Sequence, residues 1–352
     1  MDVLAQLYGE TDFSPVAASM VENPGYAGNP NIVFIPLSLG NVYLNRFEWR
    51  NHTADLQTSI GWFEWVVDNH RLWGQRWLSA PVVSYLDLSV LRLNSHAGSA
   101  DSEGRIARLR RNALRITEEE ADARLTEAYP YLPYDSSTTG DSKAEENAWE
   151  ASLLAAAANF MPEHAHAGAW DLKARQLAFD AITRACDPPD SGGVKTATVT
   201  EDFALSNHDF FPNPTYAAAT LLLLGQGALA YRLSGREVPS EFEHNARELY
   251  AAYKGYVDED LGWTISSDPS GDATLFPFAF DPYLEARAVA RRVQARSLWV
   301  ATQPVETMEV GDSLWAAVLN SKTVLFYMVG SYLWHFPPAS TETGDGSSRW
   351  PK

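Results

Sequence analysis

The chain has 352 residues, 45% of them apolar, enough to bury a large core, and its 45 acidic against 27 basic residues give a formal charge of −18. Such a negative field repels phosphate, which argues against nucleic acid and anionic membrane surfaces as partners while leaving room for a local basic cleft. The single cysteine, Cys186, excludes an intramolecular disulfide.

Met1–Ser19 has neither a basic start nor a continuous apolar run, so no secretory signal is expected and a cytoplasmic protein is the default. Residues 1–55 are rich in Pro, Asn and aromatics and read as an irregular N-terminal segment, with one strand at Asn31–Ile35. A helical domain is expected over 56–336. Leu56–Trp77 places Ile60, Phe63, Val66 and Val67 at helical spacing. Asn94–Glu103 reads as a loop, and Glu103–Ala128 as an outer helix with a stripe at Ile106, Leu109, Leu114 and Leu125. Ser142–Met161 is apolar nearly all round and belongs inside. Trp170–Cys186 is amphipathic and is stopped by Pro188, Pro189 and Gly192–Gly193. Pro214–Leu233 is a second helix apolar on every side, Ser240–Tyr256 is amphipathic, Tyr283–Val300 mixed, and Ser313–Phe336 apolar again. Leu314–Phe336 carries Asn320, Ser321, Lys322 and His335, which suit a buried helix better than a membrane span. The tail 337–352, rich in Ser, Thr, Gly and Asp, is expected to be disordered.

Outer helices thus alternate with inner ones through short connections. The pattern predicts an all-α fold, an α/α toroid of helical hairpins; a plain bundle would give a similar pattern. No composition break divides it.

Polar residues interrupt the inner helices at their starts. In Asp141–Trp149, Ser142 and Glu145 have the spacing of a capping box, in which each side chain satisfies an orphan backbone N–H. Glu146 and Asn147 remain, either as buried hydrogen-bonding groups or as a pair lining a pocket. Asn207-His208 precedes the second inner helix between aromatics. A neutral imidazole there suits a general base, and Asn207 can donate to a carboxylate or a developing enolate. In a toroid the inner helices run parallel, so both starts would open on one face with their positive dipole ends. Arg71 and Arg76 are candidates to hold a carboxylate, with His70 as a further acid or base; either arginine could equally cap a helix end. His164 and His166 are spaced too loosely to imply zinc, and no metal site or cofactor is expected.

At Ser206-Asn207-His208-Asp209-Phe210, followed by Tyr216 and a buried helix, the chain resembles the heparinase II/III and alginate-lyase type of polysaccharide lyase. The resemblance implies that Asn207 neutralises a substrate carboxyl group and that His208 removes the proton α to it. It also implies a tyrosine acid, for which Tyr216, Tyr231, Tyr250, Tyr253 and Tyr283 are all open. No counterpart of the family's β-sandwich domain or export leader is expected from this sequence. The acidic charge also favours a small sugar acid over a polymer, although an oligosaccharide stays open. Three rivals are a glycoside hydrolase using Glu146 and Asp202, a terpenoid-type cyclase lined by some of the 12 Trp and 15 Tyr, and a non-catalytic ligand-binding toroid. No DDxxD metal motif supports the cyclase. Oligomeric state is not encoded in any of these features.

Overall fold

The computed structural model describes residues 34–70, 76–97, 104–126, 142–205, 214–253, 257–258 and 263–264. Among them the fold is all-helical apart from one antiparallel pair of two-residue strands, β1 (Val257–Asp258) and β2 (Trp263–Thr264). The helices are α1 (Phe34–Arg50), α2 (Thr53–Asp68), α3 (Arg76–Asn94), α4 (Arg105–Thr126), α5 (Ala144–Phe160), α6 (Ala167–Asp180), α7 (Pro214–Leu233) and α8 (Ala246–Tyr253). No helix among the described residues is long and apolar enough to cross a membrane. Leu314–Phe336, Tyr283–Val300 and the tail 337–352 lie outside them.

The chain forms two compact units whose boundary falls after Ile116, inside α4. In the first, α1 packs on α2, and Leu37, Leu44 and Phe47 of the one and Leu56, Ile60 and Phe63 of the other are all buried. Glycine at position 40 permits the close approach, because a Cβ there would stand 2.5 Å from the Phe63 ring. Ser59 Oγ completes the contact by donating to the Gly40 carbonyl at 2.7 Å. Asn41 Nδ2 donates to Ser89 Oγ at 2.8 Å, and Arg92 pairs with Glu48, so α3 is fastened to α1 at two levels. Burial raises the Glu48 carboxyl, but Arg92 and His96 outweigh it and hold it below its usual range. Arg105 forks onto Glu64 at 3.2 and 2.5 Å, joining the start of α4 to α2.

Two sequence expectations are corrected in this unit. The segment read as irregular up to residue 55 contains α1, and its helix begins at Phe34, inside the proposed strand Asn31–Ile35. Leu37, Leu44 and Phe47 at helical spacing support that helix, and Pro36 falls in its first turn, where a missing N–H costs nothing, although Asn and Gly dilute the signal. The helix expected to run from Leu56 to Trp77 stops at Asp68. Helix α3 was not anticipated: Pro81 lies within it, and Ser79, Ser84, Asp87 and Ser89 are buried among its apolar residues, which blurs the periodicity.

In the second unit α5 is buried at every residue from Ala144 to Asn159, as its composition predicts. It packs on both α6 and α7. At the start of α5, Asn147 Nδ2 reaches the Asp180 carbonyl at 3.5 Å, at the end of α6, so these two helices run antiparallel. At the other end, Ser234 Oγ and Arg236 donate to Asn159 Oδ1 at 2.8 and 3.0 Å, so α7 runs parallel to α5. Tyr231 and Arg236 both donate to Asp171 near the start of α6, which agrees with that direction. Helix α6 stops at Asp180, short of the expected Cys186. Its continuation is replaced by a knot of hydroxyls, in which Thr183 meets Thr196 at 2.8 Å and Thr198 Oγ1 donates to the Ala181 carbonyl at 2.9 Å. The helix expected over Ser240–Tyr256 is a 3₁₀ turn, Ser240–Phe242, followed by α8. Between them Asn245 adopts φ 54° and donates to the Ile182 carbonyl and to Asp187.

Gly40 and Gly61 offer a paired test. Nothing lies within 4 Å of a Cβ built at Gly61, in the middle of α2. Gly61→Ala is expected to stabilise by about 0.5–1 kcal/mol through helix propensity, and Gly40→Ala to destabilise by about 1–3 kcal/mol by pressing on Phe63. Urea midpoints of the two variants check both signs.

Candidate functional site

The start of α5 differs from its expected form. The helix is capped by Lys143 in the left-handed conformation, φ 59°, with no side-chain capping bond, so the Ser142–Glu145 capping box is not made. The Lys143 stem is drawn inside, and its Nζ pairs with Glu146 Oε1 at 3.3 Å, both side chains being nearly inaccessible. One turn further on, Glu150 meets Arg124 from α4, and Glu120 approaches the same guanidinium at 2.6 Å. Lys143, Glu146, Glu150 and Arg124 therefore form a buried chain of charged groups, closed by the partly exposed Glu120.

Within that chain, desolvation raises the Glu150 carboxyl to about 7 against the opposing pull of Arg124, with Glu120 and Glu146 adding repulsion. Arg124 is itself held above its ordinary range, because Glu150 and Glu120 outweigh the effect of burial. A second carboxyl behaves in the same way. Burial raises Asp180 to about 7, opposed by the Thr196 hydroxyl that donates to it at 2.9 Å and by Lys173, and reinforced by Asp190. Around neutrality the start of α5 thus neighbours two carboxyl groups poised to hold or release a proton.

Asn147 is fully buried. Its Nδ2 reaches Asp180 O, while its Oδ1 meets no hydrogen-bonding partner among the described residues. One end of the side chain thus acts as a buried hydrogen-bonding group.

Asn207, His208 and Arg71 lie outside the described residues. Arg76 is the first residue of α3, and His70 follows the end of α2, half exposed; these belong to the first unit. Tyr216 lies in the first turn of α7, half exposed, its carbonyl accepting from Thr220 at 2.9 Å. Asp202 is exposed in a turn ahead of Phe203, which has φ 60°. Of the other tyrosines, Tyr231 is buried and donates to Asp171, and burial drives its hydroxyl upward. Tyr253 accepts from Leu205 N at 2.7 Å and donates to Leu205 O at 3.0 Å, which fixes the chain two residues before Asn207. His164 stacks on Trp170 with ring centroids 4.4 Å apart, and its Nε2 lies 3.3 Å from Glu118; His166 Nδ1 lies 2.7 Å from Asp122.

Sequence reasoning missed Lys143, Glu150, Arg124 and Asp180. A signal existed for two of them. Arg124 falls on the buried stripe of α4, three residues past Ala121 and seven past Thr117, and Glu150 repeats Glu146 one turn later on an apolar helix.

No protein-family model matches the chain, and neither does a curated protein or a solved structure.

The buried carboxyl generates a prediction whose sign follows from linkage. A folded-state pKa raised from 4.5 to about 7 means that the folded protein binds the extra proton, so this stabilisation is complete below pH 4.5 and is lost as pH rises through 7. Glu150→Gln abolishes that dependence. Its stability relative to wild type is expected to improve by on the order of 2–3 kcal/mol between pH 4.5 and pH 8, whatever constant loss the weakened Arg124 contact adds. Urea denaturation at the two pH values checks this, and a difference unchanged by pH would contradict it.

Proposed function

We propose that the chain is a lyase on an α/α toroid that abstracts the proton α to a carboxylate of a small sugar acid and eliminates the β substituent. The observation that carries this reading is the direction of the inner helices. With α5 and α7 parallel and α6 antiparallel between them in sequence, the starts of α5 and α7 belong to the same end of the unit. That supports a joint site of Glu146 and Asn147 with Asn207 and His208. Tyr253 clamps Leu205, the last described residue ahead of the pair.

The chemistry assigns each residue a task. Removing a proton next to a carboxylate builds a dianion, so the base must be accompanied by a donor that neutralises the growing charge. His208 takes the proton, Asn207 donates to the carboxyl oxygen as the enolate forms, and the electron pair returns to expel the β oxygen. Tyr216 protonates the leaving oxygen, giving the unsaturated acid and the departing alcohol. Glu146 and Asn147 line the cavity in this reading, and no cofactor takes part.

Turnover is read as the appearance of conjugated-acid absorbance from uronate disaccharides. His208→Ala is expected to lose about 10²–10⁴-fold in kcat while folding normally. Asn207→Ala is expected to lose about 10²–10³-fold, chiefly in kcat, because it serves charge present mainly in the transition state. Glu146→Gln separates the rivals: a glycosidase using Glu146 as its acid would be nearly inactive, whereas the lyase keeps partial turnover. Full activity in His208→Ala on the natural substrate would sink the lyase reading.

A further inference from the structure

Helix α7 contains one polar side chain in its apolar middle, Gln226, set among Leu221–Gly225 and Gly227–Ala230. It is only 3% exposed, yet neither Nε2 nor Oε1 meets a hydrogen-bonding partner among the described residues. A buried carboxamide left unmatched at both ends is unfavourable, and an apolar residue of similar shape would avoid the penalty. Next to it the helix is incompletely covered. Leu222 and Gly225 are half exposed, and a Cβ built at Gly225 would meet nothing within 4 Å, whereas one at Gly227 would collide with the Phe242 ring at 2.3 Å. Gly227 is explained by packing; Gly225 has open space instead.

We propose that Gln226 and the open strip at Gly225 form a sugar-binding position on α7. A carboxamide presents an acceptor and a donor side by side in one plane. A carboxylate or phosphate would use only the amide N–H groups and would set its negative charge against Oε1; an ammonium would use only Oε1. Vicinal hydroxyls, one donating and the other accepting, satisfy both ends at once. Leu222, one turn before Gln226 on the same side of the helix and partly exposed, offers an apolar surface on which the C–H face of a sugar ring rests. Gln226 stands twelve residues along α7 from Pro214, about 18 Å at the rise of an α-helix, so this position goes beyond the proposed function and takes a sugar other than the one on which His208 would act.

The test follows thermal unfolding of the full chain with saturating D-glucuronate, D-glucose or acetate. Both sugars are expected to raise the wild-type Tm and acetate to leave it unchanged. Gln226→Met, freed of the orphan amide, is expected to melt about 2–4 °C higher than wild type without sugar, and to bind glucuronate at least about tenfold more weakly. Gly225→Leu fills the open strip and is expected to lose the response as well, which decides the matter if Gln226→Met fails to fold. The proposal is overturned if neither sugar shifts wild type, if acetate shifts it as much, or if both variants respond like wild type. His208→Ala is expected to keep the glucuronate shift. Full turnover in that variant would therefore remove the lyase while leaving the sugar position standing.

Discussion

Arg124 stands on the apolar stripe of α4, and its guanidinium is taken out of water into the company of Glu150 and Glu120. Charges removed from solvent persist only when paired, and removing one partner of such a pair destabilises by about 3–5 kcal/mol because the other is stranded. The pairing fixes the end of α4 against the middle of α5. Helices α6 and α7 are placed in turn by their packing on α5 and by the contacts of Asn147 and Asn159 near its two ends. The second unit therefore takes its frame from one helix, and that helix is held by ions as well as by alanines.

The polar ends of that frame differ in kind. Where α7 finishes, Asp171, Asn159, Ser234 and Arg236 satisfy one another, and Arg236 also lies over the Tyr231 ring at 4.9 Å. Where α5 begins, matching is less complete and the backbone is under more tension. Lys143 is left-handed at φ 59° although it carries a side chain, Asn147 keeps an open acceptor, and two carboxyls titrate near 7. Phe203 and Asn245, also left-handed, occur in the segments that lead toward α7 and α8. Backbone strain of this kind persists only where surrounding contacts impose it, and it gathers where structure serves more than stability.

Much of the helical order was legible because it depends on long runs. Pro214–Leu233 appears with the bounds expected, and α4 and α5 within two residues at each end, since apolar content or periodicity sustained over five turns outweighs local noise. What escaped was decided by tertiary contacts. Ser142 and Glu145 have the letters of a capping box, but the chain enters α5 through a left-handed Lys143 instead. Helix α3 hides serines and Asp87 in its core, and α6 gives up its last turn to threonines that bond across a loop of 13 to 15 residues. Of the site, Glu146 and Asn147 were visible as polar intrusions into an apolar helix. Lys143, Arg124 and Asp180 were not. Lys143 stands only three residues before Glu146, but the left-handed turn that folds its stem inward has no sequence signature. Asp180 lies 33 positions from Asn147, and Arg124 lies 26 from Glu150, beyond the reach of any local pairing rule.

Helix α5 offers solvent no residue between Ala144 and Asn159. Such a helix has almost no neutral positions. Enlarging any residue of Ala155–Ala158 would push neighbours on all sides, and shrinking Leu153 or Leu154 would leave a void. Evolutionary drift must then concentrate on the exposed faces of α4 and α6, whose charges can be exchanged freely. Over long divergence the small-residue spacing of α5 would outlast the letters around it, and distant relatives would share a volume profile more than a sequence.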